Sequence, residues 1–341
     1  MVAGLDRMRH VVRVLACGFR RALCGALVVP AAVVYAQSQT APPASSPSAS
    51  PAGVMAISEA DFKTSPTLAK LRASGVITLG HRTSSLPFSY LDARLEPIGF
   101  TIDLCRRLVD DLRQLPGLRN LTIRWMPVTS ATRMPMAANG SIDLECGTTT
   151  NTAERARMVG FSVTYFLAAS RLMSRREQPI TTMDDLRGQP VVTTIGTTSM
   201  QLLQTLNRDA GMRLRILGGL DDVDSVRLLD SGRAVAFAMD DVLLRGLMTD
   251  GRDASAYVIG DFALSVEPYG LMFRKGDAAF KRQVDASLTR TFRSGDYLAL
   301  YRRWFESPVP PAGQALNLPL HPVMRRLLEQ PTDAAEPSAY R

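Results

Sequence analysis

Histidine is almost missing from this chain: His10, His81 and His321 are the three in 341 residues. No His-x-x-x-His or Cys-x-x-Cys spacing is present to hold a metal, and no Gly-x-Gly-x-x-Gly to cradle a nucleotide, so neither metal nor cofactor is expected. A Ser-His-Asp triad would have to draw on His81, and no Gly-x-Ser-x-Gly turn presents a nucleophile. There is no block of five like charges and no interleaving of aromatic with basic residues, which leaves nucleic-acid binding without support. The apolar stretch Ala22–Ala36, broken by Pro30, is too short for a permanent membrane anchor.

What is present reads as an exported globular protein. Arg7, Arg9, Arg13, Arg20 and Arg21 precede that apolar stretch, which ends in small Ala36. Residues 1–36 are therefore expected to be a signal peptide cleaved before Gln37, placing the mature protein in the periplasm. Val14-Leu15-Ala16-Cys17 resembles a lipobox, but no apolar run precedes it. Residues 37–63, rich in Ser, Pro and Ala at their start, are expected to be a flexible tether. The signal holds five Arg against one Asp, so it takes +4 of the whole chain's +8 with it. A mildly basic remainder suits a small anionic ligand. Cys17 and Cys24 leave with the signal, while Cys105 and Cys146 remain as one possible disulfide in an oxidising compartment.

With 46% hydrophobic and 21% charged residues, the chain can bury one large core or two ordinary ones. Strand and helix patterns alternate: strand 76–80, helix 101–112, strand 121–128, a short helix from Ser130 to Gly140 and strand 142–146. A second block follows, with strand 190–195, helix 199–206, strand 213–217, helix 222–229 and strand 234–239. Short strands at 257–259 and 269–273 and helices at 278–292 and 297–305 close the pattern. This is α/β order with a mainly parallel sheet. Two lobes are expected, 64–168 plus 270–310 and 169–269, crossing near 168–171 and 267–270, with 311–341 as a C-terminal extension. Polar clusters stand where strands end: His81-Arg82, Ser130 to Arg133, Thr148 to Asn151 with Arg155, Gly196 to Ser199, and Asp240-Asp241. Strand ends are where α/β proteins hold small ligands.

Residues 67 to about 330 resemble the solute-binding proteins of polar amino acid ABC importers. The stretches that carry the likeness are Gly80-His81-Arg82 with Ser85 to Tyr90, Glu145 to Asn151 running to Glu154-Arg155, Gly196 to Ser199, Ser231 to Phe237, and Asp240-Asp241. The resemblance implies a type II periplasmic binding protein fold, two α/β lobes that close on an amino acid, with the permease subunits of an ABC importer as partner and a monomeric receptor. It further implies that Arg155 clamps the α-carboxylate with help from Thr150 and Thr197, and that Asp240 takes the α-ammonium. Arg82, Ser130, Arg133 and Thr148 would face the ligand side chain. Two guanidiniums on one pocket call for an anion between them, hence glutamate or aspartate.

One position departs from the resemblance. Where the family's glutamate/aspartate-binding members have a His at the side-chain end of the ligand, this chain has Asp222. Either Asp222 touches the ligand, which would favour glutamine, asparagine or something less acidic, or it turns outward to cap a helix starting near Val223. Glu145 is expected to be a structural acid. Trp304, Phe305, Met134 and Met136 are expected in the core, with Phe88 and Tyr90 as walls of the site. A dehydratase-like enzyme of the same fold, or a ligand sensor, are the competing readings.

Overall fold

In the computed structural model, which describes residues 56–249 and 253–340, two sheets carry the architecture. The expected signal, residues 1–36, and residues 37–55 of the expected tether lie outside the described residues. The last part of that tether is a correction: Glu59–Thr64 is a helix, α1, because Ser58 and Asp61 form a reciprocal capping box and Phe62 is buried. Helix α2 (Pro66–Ser74) follows, begun by Pro66 and ended by left-handed Gly75.

The first half continues with β1 (Val76–His81), the short strands β2 (Ser84–Ser85), β3 (Ser89–Leu91) and β4 (Pro97–Ile98), and helix α3 (Phe100–Leu112). Apolar spacing makes α3: Ile102, Cys105, Leu108, Val109 and Leu112 all face inward. Strand β5 (Thr122–Pro127), helix α4 (Arg133–Ala138), β6 (Leu144–Glu145) and β7 (Val159–Phe161) complete the segment. Strands β1 and β5 are parallel, Val76 opposite Thr122 through His81 opposite Pro127, as the alternating pattern requires. Cys105 on α3 and Cys146 just after β6 form a disulfide with Cα atoms 6.3 Å apart.

The second half centres on β8 (Phe166–Arg175), a ten-residue strand that the sequence pattern did not reveal. After it come β9 (Pro190–Thr194), α5 (Thr198–Ala210), β10 (Arg215–Gly219), α6 (Asp222–Asp230), β11 (Ala236–Asp240), α7 (Asp241–Thr249), β12 (Tyr257–Ile259) and β13 (Ser265–Tyr269). The sheet runs β10-β9-β11-β8-β12, with β13 also on β8. Strands β9, β10 and β11 are parallel, while β8 is antiparallel to β11, β12 and β13.

The strand expected at 269–273 is two strands: β13 belongs to the second sheet, and β14 (Met272–Arg274) returns to the first, which runs β5-β1-β6-β14-β7. The chain therefore passes between sheets over 162–165 and 270–271. The crossings expected near 168–171 and 267–270 fall mainly inside β8 and β13.

Helices α8 (Ala278–Arg293) and α9 (Asp296–Tyr301), a π-helical turn at Arg302–Glu306, the paired strands β15 (Pro308–Val309) and β16 (Gln314–Ala315), α10 (Pro322–Glu329) and a 3₁₀ turn at Pro337–Tyr340 follow. Phe88 packs among Phe100, Phe166, Tyr269 and Phe305 with ring centroids 4.8 to 6.1 Å apart, so aromatic contacts fill the junction between the sheets. Among the described residues, no helix is long and apolar enough to cross a membrane.

Candidate functional site

Strand ends from both sheets meet at one place. Arg82 follows β1, Ser130 follows β5, Arg133 opens α4, and Thr148 and Thr150 follow β6; from the other half, Thr197 caps α5 after β9 and Asp240 ends β11. Parallel strands deliver their following residues to the same edge, which is why positions scattered from Arg82 to Asp240 converge. These seven, with Thr198, Met239 and Leu243, line a narrow cavity of about 10 Å³.

Arg155, in the 3₁₀ turn Arg155–Arg157, stands beside this cavity and lines a neighbouring one of about 600 Å³ with Ser130, Met134, Met158, Gly196, Thr197 and Met200. Its guanidinium donates to the Thr150 carbonyl (3.1 Å) and, across the halves, to the Gly196 carbonyl (3.2 Å). Gly196 has φ 84° and an ideal Cβ there would lie 2.7 Å from Ala131 Cα, so only glycine lets the two backbones approach this closely.

The electrostatics alternate in sign. Arg133 donates to the Thr148 carbonyl (3.0 Å) and lies 4.0 Å from Glu145 Oε1. Burial pushes its guanidinium down to about 10, Arg155 and Arg82 pushing the same way and Glu145 opposing. Glu145 is wholly buried and accepts from Thr149 Oγ1 at 2.8 Å through Oε2, while its Oε1 has no hydrogen-bond partner. Burial also lowers Arg155, against the pull of Glu267 and Asp240. The Tyr269 hydroxyl donates to Asp240, and Glu267 accepts from Thr198 at 2.8 Å and from Ser265. Ser130 Oγ, Arg133 Nε and Asp240 Oδ1 are buried with no protein hydrogen-bond partner. Two donors and one acceptor so placed are costly to leave unpaired, and they suit a small ligand that brings both acceptor and donor groups.

Several expectations change. Asp222 is 1% exposed and neither lines the narrow cavity nor caps its helix: Asp221 is the N-cap of α6, and Asp222 accepts from Thr194 Oγ1 (2.8 Å) and Ser85 Oγ (3.1 Å). Phe88 and Tyr90 are core residues and not walls; the Tyr90 hydroxyl donates to the Pro310 carbonyl at 2.7 Å. Trp304 and Phe305 are buried as expected, and Met134 and Met136 pack half-buried against the cluster around Ile142 and Phe161, Met134 also lining the wider cavity. His81 turns its ring edge-on to Trp125, centroids 6.0 Å apart. Glu267 and Tyr269 were missed. A lone acid inside the apolar Val266–Tyr269 stretch was the available signal, since a buried carboxylate needs partners.

Asp240 carries a pH prediction. Burial first, then Glu267, Asp241 and Asp222, push its carboxyl well above the ordinary range, the Tyr269 hydroxyl opposing. A carboxyl raised in the folded state adds stability fully below its unfolded value near 3.8, and that addition is lost as pH climbs through the raised value. Melts of ligand-free protein taken upward from about pH 4 should thus lose more stability in wild type than in Asp240→Asn. Parallel curves would mean that Asp240 titrates like an exposed acid.

Two α/β halves that meet over a polar cavity walled from both sides define a type II periplasmic binding fold. The chain belongs to the bacterial extracellular solute-binding proteins, family 3, whose profile matches residues 77–307. It is 45% identical over 270 residues to the L-glutamate/L-aspartate-binding protein of Pseudomonas aeruginosa, spanning 79% of this chain and 89% of that one. To the glutamate/aspartate import solute-binding protein of Salmonella typhimurium it is 39% identical over 269 residues, 79% of this chain and 89% of the relative. Among solved structures it is similar to the ancestral amino acid-binding protein AncCDT-1, a precursor of cyclohexadienyl dehydratase. That likeness has a TM-score of 0.60 at 26% identity and covers 70% of this chain and 99% of the other.

Proposed function

We propose that this chain is an extracytoplasmic receptor that closes on glutamate or aspartate and delivers it to the permease of an ABC importer. The observation that carries this reading is the convergence of Arg82, Arg133 and Asp240 on one small, buried cavity, with the buried Arg155 guanidinium beside it joining the two halves. Arg155, Thr150 and Thr197 take the α-carboxylate, Asp240 the α-ammonium, and Arg82, Ser130, Arg133 and Thr148 the side-chain carboxylate. The unpartnered Arg133 Nε, Ser130 Oγ and Asp240 Oδ1 support these assignments. The names of the curated relatives support the ligand class.

The lobes are the two sheet-centred halves, hinged where the chain crosses between sheets. Closure exchanges water around both partners for bonds available only when the halves meet. The protein acts by binding, without turnover, as a monomer. Residues 1–36 direct export to the periplasm, and the chain from Gln37 onward acts there.

Calorimetry against glutamate, aspartate, glutamine and asparagine tests the ligand class. The two acids should bind about 100-fold tighter than the amides, since an amide facing two guanidiniums forfeits charge-assisted bonds. Equal or tighter binding of the amides would overturn the reading.

A further inference from the structure

We infer that Asp222 is a closure latch: it touches no ligand and holds the two halves together through Ser85. The inference rests on the ligand-binding reading above and adds to it a positioning residue outside the cavity. Asp222 opens α6 in the second half, Ser85 lies in β2 of the first, and both are buried. Thr194 Oγ1, at the end of β9, occupies Asp222 Oδ1 at 2.8 Å, and pairs with Ser225 Oγ at 3.0 Å. Those partners share one half, so their bonds persist whatever the hinge does. Oδ2 is different: its hydrogen bond comes from Ser85 Oγ at 3.1 Å, across the halves, and can form only when they meet.

The surrounding backbone is built for this contact. An ideal Cβ on Gly246 of α7 would lie 2.3 Å from the Leu86 carbonyl oxygen, so a second helix of the same half also presses on the Ser85–Pro87 loop. The Ser85 carbonyl accepts from Phe88 N–H at 2.9 Å, which ties the loop to the aromatic junction. Closure contacts thus flank the site on two sides: Arg155 to Gly196 beside Thr197, and Asp222 to Ser85 three residues beyond Arg82. A carboxylate suits this position because it offers one oxygen to each hydroxyl, and in the closed state each oxygen is desolvated with a donor in place.

A bond made only in the closed state slows opening, and so acts on ligand release more than on capture. The test is stopped-flow binding of glutamate and aspartate to wild type, Ser85→Ala, Asp222→Asn and the double variant. Asn keeps one acceptor oxygen and the volume, and Ala removes one atom, so melts should show all four folded. Each single variant is expected to speed dissociation about tenfold with association nearly unchanged, the loss of one hydrogen bond to a charged group. The double variant should be little worse than Ser85→Ala alone, because the two substitutions act on one bond, Asn removing the charge of its acceptor and Ala its donor. Wild-type dissociation in both singles, or fully additive effects, would overturn the latch. If wild type bound neither acid, the ligand reading would fall and the latch would be judged by small-angle scattering. There, variants more expanded than wild type would support it and equal radii would overturn it.

Discussion

Arg155→Ala should weaken glutamate and aspartate binding by about a thousandfold, the effect of truncating one side of a buried, hydrogen-bonded charge pair. Two losses add. The ligand carboxylate would lose its guanidinium, and the halves would lose the bond that Arg155 makes to the Gly196 carbonyl at 3.2 Å. A guanidinium has five N–H donors, and the carbonyls of Thr150 and Gly196 do not exhaust them, so the same side chain can tie the halves and still face a carboxylate. Arg155→Lys separates the terms: it keeps the charge, loses the planar fork, and should recover part of the affinity. Calorimetry on variants whose circular dichroism and melting match wild type decides the matter. Affinity within tenfold of wild type in Arg155→Ala would remove Arg155 from the site.

Much of this site was legible because its residues sit at strand ends, where sequence pattern and chemistry coincide. Ile102, Cys105, Leu108, Val109 and Leu112 announced α3 by their spacing, and all are buried in it. Strand β8 stayed hidden because Ser170 and Ser174 interrupt one face and Arg171 the other, yet it is the strand on which β11, β12 and β13 all pair. With β8 unseen, the crossings moved and β13 merged with β14. Glu267 and Tyr269 were lost for the same reason: only pairing with β8 brings β13 alongside Asp240.

Asp222 shows a different limit. Local sequence offered a ligand contact or a helix cap, and the neighbouring Asp221 took the cap. The hydroxyls that Asp222 accepts from belong to Thr194 and Ser85, 28 and 137 positions earlier, and no local pattern encodes hydroxyls that arrive by tertiary packing. The two-residue strand β2 that carries Ser85 is likewise too short to read from periodicity. Helix α10 was obscured by the prolines around it, though Met324, Leu327 and Leu328 give it a buried face.

Removing the Cys105–Cys146 disulfide, by reduction or by Cys105→Ala with Cys146→Ala, should lower unfolding free energy by about 4 kcal/mol in the chain-entropy account. The bridge spans a sequence separation of 41 and joins α3 to the residue after β6. Its effect belongs mainly to the unfolded chain, which gains freedom when the loop opens, so urea unfolding should show a lower midpoint and a steeper dependence on denaturant. A lower midpoint with unchanged slope would place the loss in native packing around two fully buried sulfur positions instead. The site itself should change less. The Tyr165 hydroxyl donates to the Gly147 carbonyl, Arg133 to the Thr148 carbonyl at 3.0 Å and Thr149 to Glu145 at 2.8 Å, so the loop after Cys146 keeps its own hydrogen bonds. Glutamate affinity at a temperature where the reduced protein remains folded should therefore fall by less than about tenfold, under 1.4 kcal/mol. A collapse of binding in folded, reduced protein would instead make the disulfide part of what holds Arg133 and Thr148 in place.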